Sequence, residues 1–254
     1  MKLVDLIKQA EGQTIRGEKG RREPLRLLPP ASDEQVRKLE QALPGPLPAE
    51  IRELFTLTRG FENGPYEVDF SGYGRDAFGE RTAFGVVSEC FQILPDKLSI
   101  ATDGCGNDWM VDLTKGASAW GPVFFACHDP PVFVFTAGDL REFIEEWLKL
   151  AQEKECKLGR AFDQAVMRVW KENPGLVSHE SAIRSDDPEI RAFAGKAGDG
   201  FQFCDLRRAA SGAGFSWGHV DDPDTDMLRD GGNLLFAIRK PRPKKPFLRR
   251  LFGG

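Results

Sequence analysis

From Tyr66 to Phe135 the apolar residues recur with a period near two, in the runs YEVDF, CFQIL, LSIAT, DWMVDL, VFFAC and VFVF, each parted from the next by Gly, Pro, Asp or Asn. A period of two places alternate side chains on opposite sides of an extended backbone, so this block predicts a sheet around which the rest of the chain must pack. In DWMVDL, Trp109, Val111 and Leu113 fall on one side and Asp108, Met110 and Asp112 on the other, the pattern of a strand with one buried face. The preceding DGCGND predicts a plain hairpin turn, with Gly104 and Gly106 supplying the backbone freedom. As a calcium loop it lacks the glycine and the closing glutamate of the EF-hand type, and as a phosphate loop it lacks the Lys-Ser/Thr signature and a following helix.

Helical spacing flanks this block. Leu3, Val4, Leu6, Ile7 and Ala10 predict a short amphipathic helix, and EGQTIRGEKGRREP after it is polar enough to predict a linker. Ser32 with Gln35 at the third helical position predicts a capped helix from about Asp33 to Ala42, with Val36, Leu39 and Leu43 on one face. Pro48 suits the first turn of a second helix whose stripe is Ile51, Leu54 and Phe55, and Gly60 is expected as its left-handed stop. Thr136 with Asp139 predicts a cap for LREFIEEWLKLAQ, whose buried face is Phe143, Ile144, Trp147, Leu148 and Ala151. Further on, LGRAFDQAVMRVWKENPG predicts a helix with Leu158, Ala161, Phe162, Ala165, Val169 and Trp170 inward, stopped at Pro174-Gly175. Short strands are expected in FQFCDL, GFSWGHV and NLLFAIRK.

Composition bounds the function. No run approaches the eighteen apolar residues of a membrane span, and Asp5, Lys8 and Glu11 interrupt the N-terminus where a signal peptide needs apolar residues, so a cytoplasmic location is expected. Cys90, Cys105, Cys127, Cys156 and Cys204 are isolated, which argues against a disulfide framework and a structural zinc site. The net charge of −4 conceals an asymmetry: residues 31–157 hold 22 acidic and 12 basic side chains, whereas 239–254 hold seven basic and none acidic. A carboxylate excess disfavours nucleic-acid binding by the central region and suits a basic partner.

The order of these elements resembles the SUKH superfamily, the group of fungal cell-wall-synthesis regulators and many bacterial immunity proteins. The resemblance is carried by KLEQAL, LPGPLPAEIRELF, RGFENG, ATDGCGNDWMVDL, GPVFFACHD and DLREFIEEWL, and covers about residues 30–150. It implies an α+β fold, a mostly antiparallel sheet flanked by helices, and protein binding without catalysis or cofactor. For a bacterial immunity protein it implies neutralisation of a cognate toxin, frequently a basic nuclease, by masking its active surface. The alternative on the same fold is an intracellular regulator or scaffold. The chain is expected to divide into an N-terminal helix and basic linker (1–29), a SUKH-like domain (30–157), a small appended α+β module (158–238) and a basic tail (239–254). Glu62, Asn63, Asp103, Asn107, Asp108 and Asp112 are the candidate partner-binding residues of an acidic surface.

Other chemistry is weakly signalled. GFSWG, Gly214 to Gly218, satisfies the pattern of a serine-hydrolase elbow, but the order Ser, acid, His fails because the only histidine after Ser216 is His219, three residues away and ahead of every later acid. His128, His179 and His219 have no partner four residues away, so no metal site is expected from them. DDPDTD, Asp221 to Asp226, lacks the glycine and glutamate of a calcium loop and is expected as a solvated acidic turn. RKPRPKKPFLRRLFGG interleaves cations with Phe247, Leu248, Leu251 and Phe252; it is expected as a solubilising tail that folds back on the acidic domain, or as a contact to an anionic membrane surface.

Overall fold

The structure, a computed structural model, describes residues 1–17, 20–72, 93–94, 96–217 and 226–239. Helix α1 (Leu3–Ala10) buries Leu3, Val4, Ile7 and Ala10. The segment expected as a polar linker after it is a hairpin, β1 (Thr14–Arg16) paired with β2 (Arg22–Pro24), because Ile15 is 1% exposed and anchors the hairpin in the main core. One fully buried isoleucine outweighs a polar average, since its removal from water stabilises by roughly 1.5–3 kcal/mol.

Helix α2 (Asp33–Ala42) opens on the expected capping box: the Gln35 N–H donates to Ser32 Oγ at 3.2 Å and the Ser32 N–H to Gln35 Oε1 at 2.9 Å. Pro48 caps α3 (Ala49–Leu57), which buries Ile51, Leu54 and Phe55. The stop of α3 differs from expectation. Thr58 in extended conformation ends it, and Gly60 instead opens β3 (Gly60–Phe61), where a Cβ would collide with the Val68 carbonyl oxygen of the neighbouring strand. The glycine serves close backbone approach rather than a left-handed turn.

The sheet continues through β4 (Glu67–Asp69), β5 (Lys97–Thr102), β6 (Asp108–Asp112), β7 (Val123–His128) and β8 (Pro131–Ala137). The CFQIL run lies outside the described residues except for its last two positions. Helix α4 (Leu140–Ala151) is capped by Asp139 alone, whose Oδ1 accepts the Glu142 N–H at 2.7 Å. Thr136, expected in that cap, is buried in β8, because the strand runs on to Ala137. Helix α5 (Arg160–Glu172) turns Phe162, Val166 and Val169 inward; Ala161 and Trp170, expected there, are exposed, and left-handed Asn173 ends the helix. Then follow β9 (Leu176–Ser178), α6 (His179–Ile183), α7 (Pro188–Ala197), β10 (Phe201–Asp205), β11 (Gly214–Ser216), β12 (Met227–Arg229) and β13 (Leu235–Arg239).

The fold is α+β, with antiparallel sheets flanked by helices. Seven strands form one sheet in the order β11-β8-β7-β6-β5-β4-β3, and four form a second in the order β12-β13-β10-β9. One face of the large sheet, presenting Trp109, Val111, Phe125 and Val134, packs against α1, α3, α4 and α5. The opposite face presents Met110, Phe124 and Phe133, which meet Cys204, Phe236 and Ile238 of the small sheet. Helices α6 and α7 cover the outer side of that small sheet through Ala182, Phe193 and Ala194. The layers are therefore helices, large sheet, small sheet, helices.

The segment expected as an appended module is thus split: α5 and β11 join the large sheet's core, and the remainder builds the second sheet. Strand β6 is consequently buried on both faces, not one. Met110 enters the core between the sheets, and Asp112 pairs with Arg229 of β12 at 2.6 Å with side-chain exposures of 3% and 4%. Asp-x-Met-x-Asp reads as a solvent face locally; only the distant guanidinium makes its burial tolerable.

Candidate partner-binding cleft

The DGCGND turn between β5 and β6 is a hairpin turn, held by its own side chains. Asp103 Oδ1 accepts the Cys105 N–H at 2.8 Å and the Asn107 N–H at 3.3 Å, while Oδ2 accepts from Asn107 Nδ2 at 2.7 Å. Gly104 and Gly106 take φ of 75° and 88°, the left-handed values the turn requires. Asn107 is 7% exposed, and its Oδ1 accepts both the His128 N–H at 3.1 Å and His128 Nδ1 at 2.9 Å. Since Asp103 fixes the amide orientation, the proton of a neutral His128 resides on Nδ1.

Facing this turn, the chain from Phe61 to Glu67 is clamped by aromatic packing. Phe61 stacks on Trp147 at 4.3 Å, Tyr66 lies over Trp109 at 4.5 Å, and a Cβ on Gly64 would collide with the Trp147 ring. Asn63 pins the crossing, accepting the Arg26 N–H at 2.8 Å and donating to Pro24 O at 3.0 Å. Between the two walls lies a cleft of about 290 Å³ lined by Glu23, Glu62, Tyr66, Glu67, Asp103 and Arg21. Arg26 stands beside it, paired with Glu62 at 3.0 Å and Glu23 at 3.1 Å. Beyond the Pro65–Tyr66 ridge a second cleft of about 640 Å³ is lined by Arg16, Leu150, Lys154, Cys156 and Arg160. Burial, reinforced by Asp163 and Asp103, pushes the Tyr66 hydroxyl up to about 12.

Of the six expected residues, Glu62, Asn63 and Asp103 meet in this cleft. Asn107 lies buried behind the turn. Asp108 is half-buried on the side shared with Met110, where burial pushes its carboxyl up to about 6, opposed by a Ser99 hydrogen bond and aided by Asp103. Asp112 is not a surface residue at all: it is buried at the far end of β6 against Arg229. The six therefore do not form one acidic face. Glu23, Tyr66 and Glu67 were missed, although the alternation of YEVDF around buried Val68 could have placed Glu67 outward. Glu23 had no such signal, lying in a segment that looked like a linker.

Ser216 sits within β11, opposite Val132, with its N–H donating to Asn173 Oδ1 at 3.1 Å and its carbonyl accepting from Asn173 Nδ2 at 3.3 Å. A nucleophile elbow needs the serine on a sharp strand-to-helix turn, and Ser216 is in a paired strand followed by buried Trp217. Gly218, His219 and Asp221 to Thr225 lie outside the described residues, as do Cys90 and 240–254; Asp226 pairs with Arg239 at 2.6 Å. Among the described residues no group of three His, Cys, Asp or Glu side chains is arranged to hold a metal ion, and no helix is long and apolar enough to cross a membrane.

Comparison with known proteins gives one finding. The model of the SMI1 / KNR4 family (SUKH-1) matches residues 30–146, from just before α2 to within α4; this range contains the cleft lining from Phe61 to Gly104, while Arg21, Glu23, the adjacent Arg26 and the clamping Trp147 lie outside it. Neither the curated proteins nor the solved structures give a match. Residues 30–146, a little under half of the chain, are therefore similar to the SMI1 / KNR4 family (SUKH-1), which supports a module of the kind found in immunity proteins and in SMI1/KNR4-type regulators.

Proposed function

We propose that this chain is a non-enzymatic, cytoplasmic immunity protein that neutralises a cognate toxin by steric masking, with the Glu62–Asp103 cleft as its docking surface. The observation that carries this reading is the convergence of four carboxylates, Glu23, Glu62, Glu67 and Asp103, against two guanidiniums, Arg21 and Arg26, on a frame clamped by Trp109 and Trp147. Among the described residues of the cleft the carboxylates outnumber the guanidiniums, which favours a basic partner and speeds encounter with it. The rigid frame means little ordering entropy is lost on binding.

The test is co-expression with the product of the adjacent gene, followed by affinity measurement at low and high salt. Glu62 is 54% exposed at its side chain, so Glu62→Lys combined with Glu67→Lys perturbs docking without disturbing the core. Reversing two interfacial charges is expected to weaken binding at least about tenfold, equivalent to about 1.4 kcal/mol, and to abolish protection of cells from the toxin. Full affinity and protection in the double variant would remove this cleft as the docking surface. Absence of any binding or protection would remove the immunity function itself.

A further inference from the structure

We infer that the protein partner bound at the Glu62–Asp103 cleft also places an acidic side chain, with an apolar neighbour, in the second cleft across the Pro65–Tyr66 ridge, so that this surface recognises a basic and an acidic group side by side. The inference rests on the reading of the first cleft as the docking surface and names the chemistry of what docks there.

The two clefts share a wall and differ in charge. Among the described residues the first is lined by Glu23, Glu62, Glu67 and Asp103 with Arg21. The second, of about 640 Å³, sets Arg16, Lys154 and Arg160 against Glu153 and Glu155. Glu153 is already answered, by Arg16 at 3.1 Å and by Arg22 at 2.5 Å, so that triad keeps a net positive charge. Lys154 and Arg160 are exposed and form no ion pair among the described residues, which leaves both available to a ligand. Their backbones are held: the Lys154 N–H donates to Lys149 O at 2.9 Å, and Arg160 is the first residue of α5. Asp163 of α5 belongs with Asp103 to the ridge, where both act on the Tyr66 hydroxyl. Half-buried Pro65, Tyr66 and Leu150 add apolar surface beside the cations, which suits an acidic residue next to an apolar one better than a bare anion.

Apart from Pro65 and Tyr66, the described lining of the second cleft comes from the β1–β2 hairpin and from residues 150–161, both outside the matched range 30–146. The cationic half of the surface is therefore built by segments that this chain adds to the matched domain. Opposite charges on two sides of one ridge fix orientation. A partner turned end for end would set its acid against Glu62 and Asp103 and its cation against Lys154 and Arg160, and like charges facing one another exclude that pose. A uniformly basic surface is drawn to one cleft and repelled by the other, so the pair of clefts selects against it.

The test is the sign of one charge reversal. Lys154→Glu with Arg160→Glu in the full chain makes the surface more acidic, and net charge alone would then tighten binding of any basic partner. The product of the adjacent gene is instead expected to bind this variant about tenfold more weakly at low salt, while decalysine, a probe without an acid, binds it more tightly than the natural chain. Lys154→Gln with Arg160→Gln, which removes attraction without adding repulsion, should weaken the adjacent gene's product by a smaller factor. Unchanged or tighter binding of that protein to the Glu variant, with Glu62→Lys and Glu67→Lys still weakening it, would overturn the inference and leave the first cleft as the docking surface. Weaker binding of decalysine to the Glu variant would also overturn it, because the loss would then not follow the charge of the ligand. Binding indifferent to both pairs of substitutions would remove the docking surface and this inference together.

Discussion

The ion pair between Asp112 and Arg229 is the most exacting test of how the two sheets are joined. Both side chains are almost fully buried, at 3% and 4% exposure, and the Nη2–Oδ2 distance is 2.6 Å. Arg229 also donates through Nε to Asn233 O at 2.7 Å and through Nη2 to Gly232 O at 3.1 Å, while Asp112 Oδ1 accepts the Thr114 N–H at 3.0 Å. Arg229→Met keeps much of the aliphatic volume but strands the carboxylate of Asp112 between two apolar sheets. Leaving one member of a buried pair uncompensated costs about 3–5 kcal/mol. Against a typical total stability of about 5–15 kcal/mol, this is about a fifth or more of what holds the chain folded. Urea denaturation followed by tryptophan fluorescence should show the midpoint falling with the slope unchanged. Asp112→Asn leaves the Arg229 guanidinium without its counter-charge, but should cost less, because the Asn233 and Gly232 carbonyls still accept from that guanidinium. In the combined variant the two changes should be far from additive, with a coupling of about 2 kcal/mol or more. Loss of under about 1 kcal/mol in Arg229→Met, or additive single effects, would refute the claim that this pair locks the sheets together.

Two further predictions concern the β5–β6 turn. Burial raises the folded-state pKa of Asp108 to about 6, above its ordinary 3.8, so between those values the folded state binds more protons than the unfolded one and stability falls as pH rises from about 4 to 6. Asp108→Asn should flatten that slope and stabilise the protein at pH 7 by up to about 3 kcal/mol; a stability profile that stays unchanged between pH 4 and 7 would contradict it. Asn107→Ala removes the amide shared by Asp103 and His128, leaving their polar groups without that partner. It should cost roughly 1–3 kcal/mol and accelerate amide exchange of Cys105 and His128 before other sites.

Much of the fold was legible in the order of residues. The capping box of Ser32 and Gln35, the stripes of α3 and α4 and the glycine turn at Gly104 and Gly106 came out where the residues pointed. Each is decided within a few residues, by a cap, a helical period or a left-handed φ, and short-range chemistry is what a linear chain displays. Three elements of the candidate site, Glu62, Asn63 and Asp103, were also readable, because polar residues at turns between apolar runs tend to stand at a rim.

What the chain alone could not decide depends on contacts far apart in sequence. Ile15 became core because it joins the main hydrophobic cluster built from distant elements, and Asp112 left the surface because Arg229, more than a hundred residues on, supplied its counter-charge. Gly60 proved to be a strand residue because Val68 presses against it from the neighbouring strand. The cleft itself exists only where the β1–β2 hairpin, the Phe61–Glu67 crossing and the β5–β6 turn converge. Local sequence determined the α+β elements and most of their ends; the tertiary structure decided which faces met. Burial and pairing belong to the assembled layers, and no single stretch of residues carries them.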